Sequence, residues 1–265
     1  MSASAFPPAA GRKLVFLHLP KTGGTTLHHH FSKAFAPEEI CPERFSRLDR
    51  FTSEELGRYR YFSGHFNYEQ LRMIPGPLFT VTVMRDPVER ILSTYYFWKR
   101  HRPEYIERQG LAGPAAARSS GNLLDFLRST TLEVLDAVDN TMARYLAGHV
   151  NVAQDRSYRF SAAGPGVPMS ELEIMHRATG NLMAMDVFGF TSNLVEVFTR
   201  VALVFGMKRT NSLVRLNTRS DVNDLLEPTT EEPITPEIRA ELNRLTSVDR
   251  ELYRLARLHW KLARR

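Results

Sequence analysis

Cysteine is all but missing from this chain. Cys41 stands alone among 265 residues, so no intramolecular disulfide can form, and the composition fits a reducing compartment. No apolar run approaches the roughly 20 residues that a membrane-crossing helix needs, and the opening MSASAFPPAAGRK lacks the apolar core of a secretory signal. Internal repeats, zinc-finger spacings and recognition-helix patterns are missing too, which leaves nothing specific in favour of nucleic acid as a partner. A Walker A loop is also absent, since its lysine would stand directly before a helix, and no confident Walker B pattern follows. The chain does have a 43% hydrophobic composition, enough for a real core, and one α/β domain over 1–265, with 1–12 as a flexible N-terminus, is the simplest count. Its net charge of +6 and pI near 9.6 suit a protein that gathers a polyanionic cofactor or an acidic acceptor. The C-terminal arginines fall within an amphipathic pattern of Leu242, Leu245, Leu252, Leu255, Ala256 and Leu258, so they form its solvated face.

Two strand-turn-helix units carry the chemistry. Leu14 to Leu19 reads as a buried strand, and from Thr25 onward Leu27, Phe31, Ala34 and Phe35 recur at helical spacing. The turn between them, Pro20-Lys21-Thr22-Gly23-Gly24-Thr25-Thr26, places backbone N–H groups at a helix N-terminus, where unpaired donors and the helix dipole stabilise an anion. Gly23 and Gly24 let the anion approach the main chain, Lys21 adds a mobile positive charge, and Thr22, Thr25 and Thr26 add hydroxyl donors. In the second unit the β-branched run Phe79 to Met84 ends at Arg85-Asp86-Pro87, where Val88, Ile91, Leu92 and Tyr95 open a helical pattern. Asp86 is a natural N-cap and Pro87 a natural first helical residue. Arg85 therefore sits at a carboxyl strand edge, where open α/β sheets bind ligands. Ser93, about two turns into the helix, converges with Arg85 on one phosphate if packing turns that face inward.

Residues 14–31 resemble the 5′-phosphosulfate loop, and 79–97 the 3′-phosphate segment, of sulfotransferases that use 3′-phosphoadenosine-5′-phosphosulfate (PAPS). The wording is nearest the family-2 type that includes the heparan and dermatan 2-O-sulfotransferases, whose R-D-P-[IV]-E-R-x-x-S-x-Y-Y-F pattern is matched by RDPVERILSTYYF from Arg85 to Phe97. Weaker similarity continues through Gly64-His65, Asn140 to Gly148, Gly189-Phe190-Thr191 and Leu252-Tyr253. The resemblance implies a P-loop-like three-layer α/β fold with a central, mainly parallel sheet flanked by helices. It implies in-line transfer of a sulfuryl group from PAPS, a small-molecule sulfate donor, to a hydroxyl of a glycan, glycolipid or smaller metabolite, leaving adenosine 3′,5′-bisphosphate, with no metal required. His65 then takes the place of the general base, a task that suits imidazole because its pKa lies near working pH. The family often has a further histidine two residues earlier, where this chain has Ser63. Lys21 is the candidate for stabilising the leaving group. The loop amides with Thr25 and Thr26 would hold the 5′-phosphate, and Arg85 with Ser93 the 3′-phosphate. Animal relatives are membrane-anchored Golgi proteins, so the missing anchor points to a soluble, cytoplasmic, bacterial form.

Pro37 to Tyr59 reads as helical or loop material covering the site, and the Gly- and Pro-bearing stretches 101–121 and 151–170 as mobile loops or acceptor lids. Helices are expected near 122–129, 139–147, 171–179, 193–205 and 236–261, the last broken at Ser247, and a strand at Asp186 to Thr191. Consecutive His28-His29-His30 point about 100° apart on a helix and cannot chelate together. Tyr95 to Trp98 is a packing cluster, and Arg215 to Arg219 either a loop closing over the nucleotide or a solvated turn. From the residues alone, a P-loop-type kinase with Mg²⁺, a silent nucleotide-binding protein and a basic nucleic-acid binder stay open beside the sulfotransferase.

Overall fold

The computed structural model describes residues 11–161, 166–214 and 225–263. The first ten residues of the expected N-terminal tail and the Arg215 to Arg219 segment lie outside them. Among the described residues the elements run β1 (Lys13–Leu17), α1 (Gly24–Ser32), α2 (Ser53–Arg58), β2 (Tyr61–Gly64), β3 (Leu78–Met84), α3 (Pro87–Lys99), α4 (Pro103–Gln109), α5 (Ala112–Ser119) and α6 (Leu123–Arg128). They continue α7 (Leu132–Val138), α8 (Thr141–Ala147), β4 (Val150–Val152), β5 (Tyr158–Phe160), β6 (Val167–Met169), α9 (Glu171–Met183), β7 (Val187–Phe190), α10 (Leu194–Phe205), α11 (Pro236–Leu245) and α12 (Ser247–Leu262). The class is α/β, with a central four-stranded parallel sheet flanked by helices.

The chain divides into two compact units. The first takes in Met1–Arg85, Tyr145–His149 and Arg177–Leu216 and holds the parallel sheet, ordered β2-β1-β3-β7. Leu14, Val15, Phe16 and Leu17 are all fully buried, as a strand covered on both faces requires. Phe31 of α1 stacks on Phe198 of α10 at 5.8 Å, and α10 packs along β7. At the amino end of the sheet, Asp186 accepts from the Thr80 backbone and hydroxyl and pairs with Arg12, tying the entry to β7 onto β3 and β1. Arg12 is thus fixed, at the inner end of the stretch expected to be a tail. The edge of β2 is covered by the segment ahead of it: Ile40 bridges Tyr61 in parallel, and the Cys41 amide donates to the Tyr61 carbonyl at 2.9 Å. Cys41 is fully buried there.

The second unit takes in Asp86–Arg144, Val150–His176 and Asn217–Arg265. Its core gathers Ile91, Tyr95 and Tyr96 of α3 with Leu123, Phe126, Leu242 and Leu245, so the aromatic run after Arg85 contributes packing. The stretch 101–121, expected as a mobile loop or acceptor lid, carries two short helices rather than irregular loop. Pro103 is at the N-terminus of α4 and Gly110 closes it with φ of +62°, while Gly113 admits the Trp98 ring, since a Cβ there would lie 2.6 Å from it. The stretch 151–170 is likewise not all loop: β4, β5 and β6 pair antiparallel into a small sheet. The other expected elements are in place, with the C-terminal helix interrupted at Thr246, between α11 and α12.

Candidate active site

Strand order explains why distant motifs meet. β1 has β2 on one side and β3 on the other, so the chain reverses its direction of winding at β1, and loops leaving the carboxyl ends of β1 and β3 open a crevice between them. The turn from Lys21 to Gly24 leaves β1, and Arg85 follows β3. They are in contact: Arg85 Nη1 donates to the Lys21 carbonyl at 3.3 Å. Thr191, following β7, locks the same turn by donating to the Thr22 carbonyl at 3.0 Å, with the Met84 carbonyl at 3.3 Å.

The turn depends on two left-handed residues. Lys21 takes a left-handed φ of +65° and Gly23 one of +84°, a conformation that costs a non-glycine residue about 1–3 kcal/mol. Thr22 is fully buried and its hydroxyl donates to the Leu19 carbonyl at 2.8 Å, so its side chain shapes the turn and it offers a ligand its backbone. Thr25 is half-buried and Thr26 buried in the first turn of α1. Thr52, Asp86, Asn122 and Thr235 cap α2, α3, α6 and α11 with side-chain bonds, whereas α1 has no side-chain cap and no acid in its first turn. The dipole at that N-terminus is thus not offset by a carboxylate of its own first turn, which suits an anion. Ser93 is on α3 in the second unit, half-buried, and its pairing with Arg85 remains an expectation.

His65 follows β2, and its Nδ1–H donates to the His18 carbonyl at 2.7 Å. That bond fixes the tautomer and leaves the Nε2 lone pair to accept a proton. Burial lowers the pKa of His65, Arg44 and Lys21 lower it further, and the bond to His18 opposes them. The ring is therefore neutral at pH 7. Arg44 reaches this corner because its segment runs beside β2, with the His65 amide donating to the Arg44 carbonyl at 3.0 Å. Its Nη1 lies 2.6 Å from Nδ1 of His28, which is 3.0 Å from the Tyr61 hydroxyl. Burial first and then Arg44 push the His28 pKa down to about 4. His28 thus turns inward, while His30 accepts from the Val214 amide, and among the described residues no group of three or more ligating side chains could hold a metal ion. Phe45, 67% exposed, stands 6.3 Å from the His65 ring.

Two residues of this corner, His18 and Arg44, escaped sequence reasoning. The parallel register Phe16↔Ser63 and Leu17↔Gly64 runs on to set His18 beside His65, with ring centroids 4.5 Å apart. Pairing registers are not written in either strand alone, although His18 lies within the phosphate-loop motif. Gly24 has a second reason to be glycine: a Cβ there would lie 1.9 Å from His18 Cδ2.

A helix N-terminus without a side-chain cap, two cations and a half-buried imidazole at the switch point of an α/β sheet suit a protein that handles an anionic group. A family model described as "Sulfotransferase family" matches residues 9–255, and the chain belongs to that family. It is also 30% identical over 125 residues to the protein-tyrosine sulfotransferase of Arabidopsis thaliana, an alignment covering 46% of this chain and 24% of that protein. The chain therefore spans about a quarter of that curated relative's length. No helix among the described residues is long and apolar enough to cross a membrane.

Proposed function

We propose that this chain is a single PAPS-dependent sulfotransferase domain that sulfates a hydroxyl of a glycan, glycolipid or smaller metabolite, with His65 as general base. The observation that carries the reading is the tautomer of His65: Nδ1–H is spent on the His18 carbonyl, so the ring presents a lone pair beside an uncapped, acid-free helix N-terminus. The same features fit a phosphosulfate, which needs amide donors, positive charge and no nearby carboxylate. Amides of the turn and Thr25 and Thr26 would hold the 5′ end, and Arg85 with Ser93 the 3′-phosphate. When bound, PAPS supplies the sulfuryl group and leaves as adenosine 3′,5′-bisphosphate. His65 Nε2 takes the acceptor's hydroxyl proton, and the Lys21 ammonium stabilises negative charge at the loop as it develops. A tyrosyl hydroxyl is a second acceptor reading, favoured by the exposed Phe45 ring beside His65, a surface on which a flat acceptor stacks.

Thermal shift with adenosine 3′,5′-bisphosphate, set beside ATP with Mg²⁺, tests the donor. At about 100 times its dissociation constant a ligand adds roughly 2.7 kcal/mol. Stabilisation by the bisphosphate without Mg²⁺ is expected, and a response to ATP-Mg²⁺ alone would refute the reading. His65→Ala should lower turnover by about 10² to 10⁴-fold while bisphosphate affinity stays nearly intact. Unchanged turnover would remove His65 from the mechanism.

A further inference from the structure

His18 is the one imidazole of the corner with no work yet assigned to its ring. It is 8% exposed, lies on Phe16 at 5.4 Å between centroids and 11° between planes, and sits 4.5 Å from the His65 ring. Its backbone is fully used, since the amide donates to the Gly64 carbonyl and the carbonyl accepts from His65. Among the described residues no hydrogen bond reaches either ring nitrogen. The Cδ2–Nε2 edge is pressed against Gly24, the first residue of α1, where a Cβ would lie 2.1 Å from Nε2. One side of the ring therefore faces the base and its edge faces the anion cradle. The ring nitrogens are not sealed from solvent, so they are open to a ligand, and the ring lies between the two places where donor and acceptor would meet.

We propose that His18 is a second catalytic imidazole, whose ring N–H donates to a sulfuryl oxygen of the bound donor while His65 receives the acceptor's proton. The inference rests on the PAPS reading above and deepens it. His18 stays neutral throughout: burial first, then His65, Arg44, His28 and Lys21 hold its pKa well below the usual imidazole value. A neutral ring offers one donor without competing for the acceptor's proton. Contact with the sulfuryl group, rather than the phosphates, gives His18 a signature of its own: it should affect only a nucleotide that carries sulfate.

Titration calorimetry of the full chain, with PAPS and adenosine 3′,5′-bisphosphate as separate ligands, reads this out without an acceptor. His18→Phe retains the stacked ring and removes the donor; it should weaken PAPS binding about 10-fold or more and leave bisphosphate binding within about two-fold. His18→Gln, which restores an N–H, should recover much of the PAPS affinity. Bisphosphate binding by each variant reports that the cradle is folded. Equal affinity of wild type and His18→Phe for PAPS would overturn the inference, as would parallel loss of both nucleotides or a Gln variant no better than Phe. A wild-type chain that binds bisphosphate normally but does not discriminate PAPS from it refutes the role of His18 alone. One that binds neither nucleotide refutes the donor assignment itself, and this inference with it.

Discussion

Arg44 has no carboxylate partner among the described residues, and this positive charge adds to burial in lowering the pKa of His65, the proposed base. After burial it is the largest cationic influence lowering the His65 pKa, with Lys21 next. The acid limb of kcat/KM should therefore fall below the ordinary imidazole range, and Arg44→Met should move that limb to higher pH. An unmoved limb, or one displaced downward, would show that Arg44 does not tune the base. Such couplings were beyond reach in the sequence. Lys21, the paired glycines and Arg85 were legible because a strand, a turn and a helix follow one another locally. His18 joins His65 through strand pairing between segments 47 residues apart, and Arg44 through a single backbone bond from the His65 amide. Thr22 shows the opposite limit: the residue type was legible, but the direction of its hydroxyl, into the turn at Leu19, was not.

At the scale of elements, the second unit is held by a reciprocal pair of caps. Asn140, at a left-handed φ of +43°, accepts through Oδ1 from the Val248 and Asp249 amides opening α12, while the Asp249 carboxylate accepts from the Met142 and Ala143 amides opening α8. Asp249→Ala leaves two buried N–H groups without a partner and should cost about 1–3 kcal/mol in urea denaturation. A loss below about 0.5 kcal/mol would mean that the caps carry no stability. The weak resemblance at Asn140 to Gly148 is thus, at Asn140, a matter of helix entry. Element boundaries were readable where a cap residue stood before an apolar pattern, as at Asp86. They misled where the same residue types serve two ends: Pro103 and Gly110 read as loop markers yet open and close α4, and β4 to β6 are three residues each, too short for alternation to declare itself.

For the molecule as a whole, imidazoles whose pKa partial or full burial lowers make stability depend on pH. The folded pKa of His28 is about 4, against 6.5 for a free imidazole. Between those values the unfolded chain binds the proton and the folded chain does not. The contribution is therefore complete above pH 6.5 and is lost as the pH falls through 4. His18, His30 and His65 are displaced in the same direction. Replacing His28 by Gln retains an acceptor for Arg44 and should flatten the fall in Tm across that window, leaving the gap to wild type constant above pH 7. Parallel curves from pH 7 to 4 would refute the linkage. Parallel sheet and fold class were legible from the apolar strands and their crossovers, whereas the division into two compact units was not, because it cuts through α8 and α9 rather than at a linker.

The lone cysteine turns this architecture into its own clock. Cys41 is sealed behind the covered edge of β2, and burial raises its thiol pKa, so a thiol reagent can reach it only when that border peels away. The labelling rate should then time the opening of the strand that delivers His65, and bound bisphosphate, by fastening the neighbouring turn, should slow it.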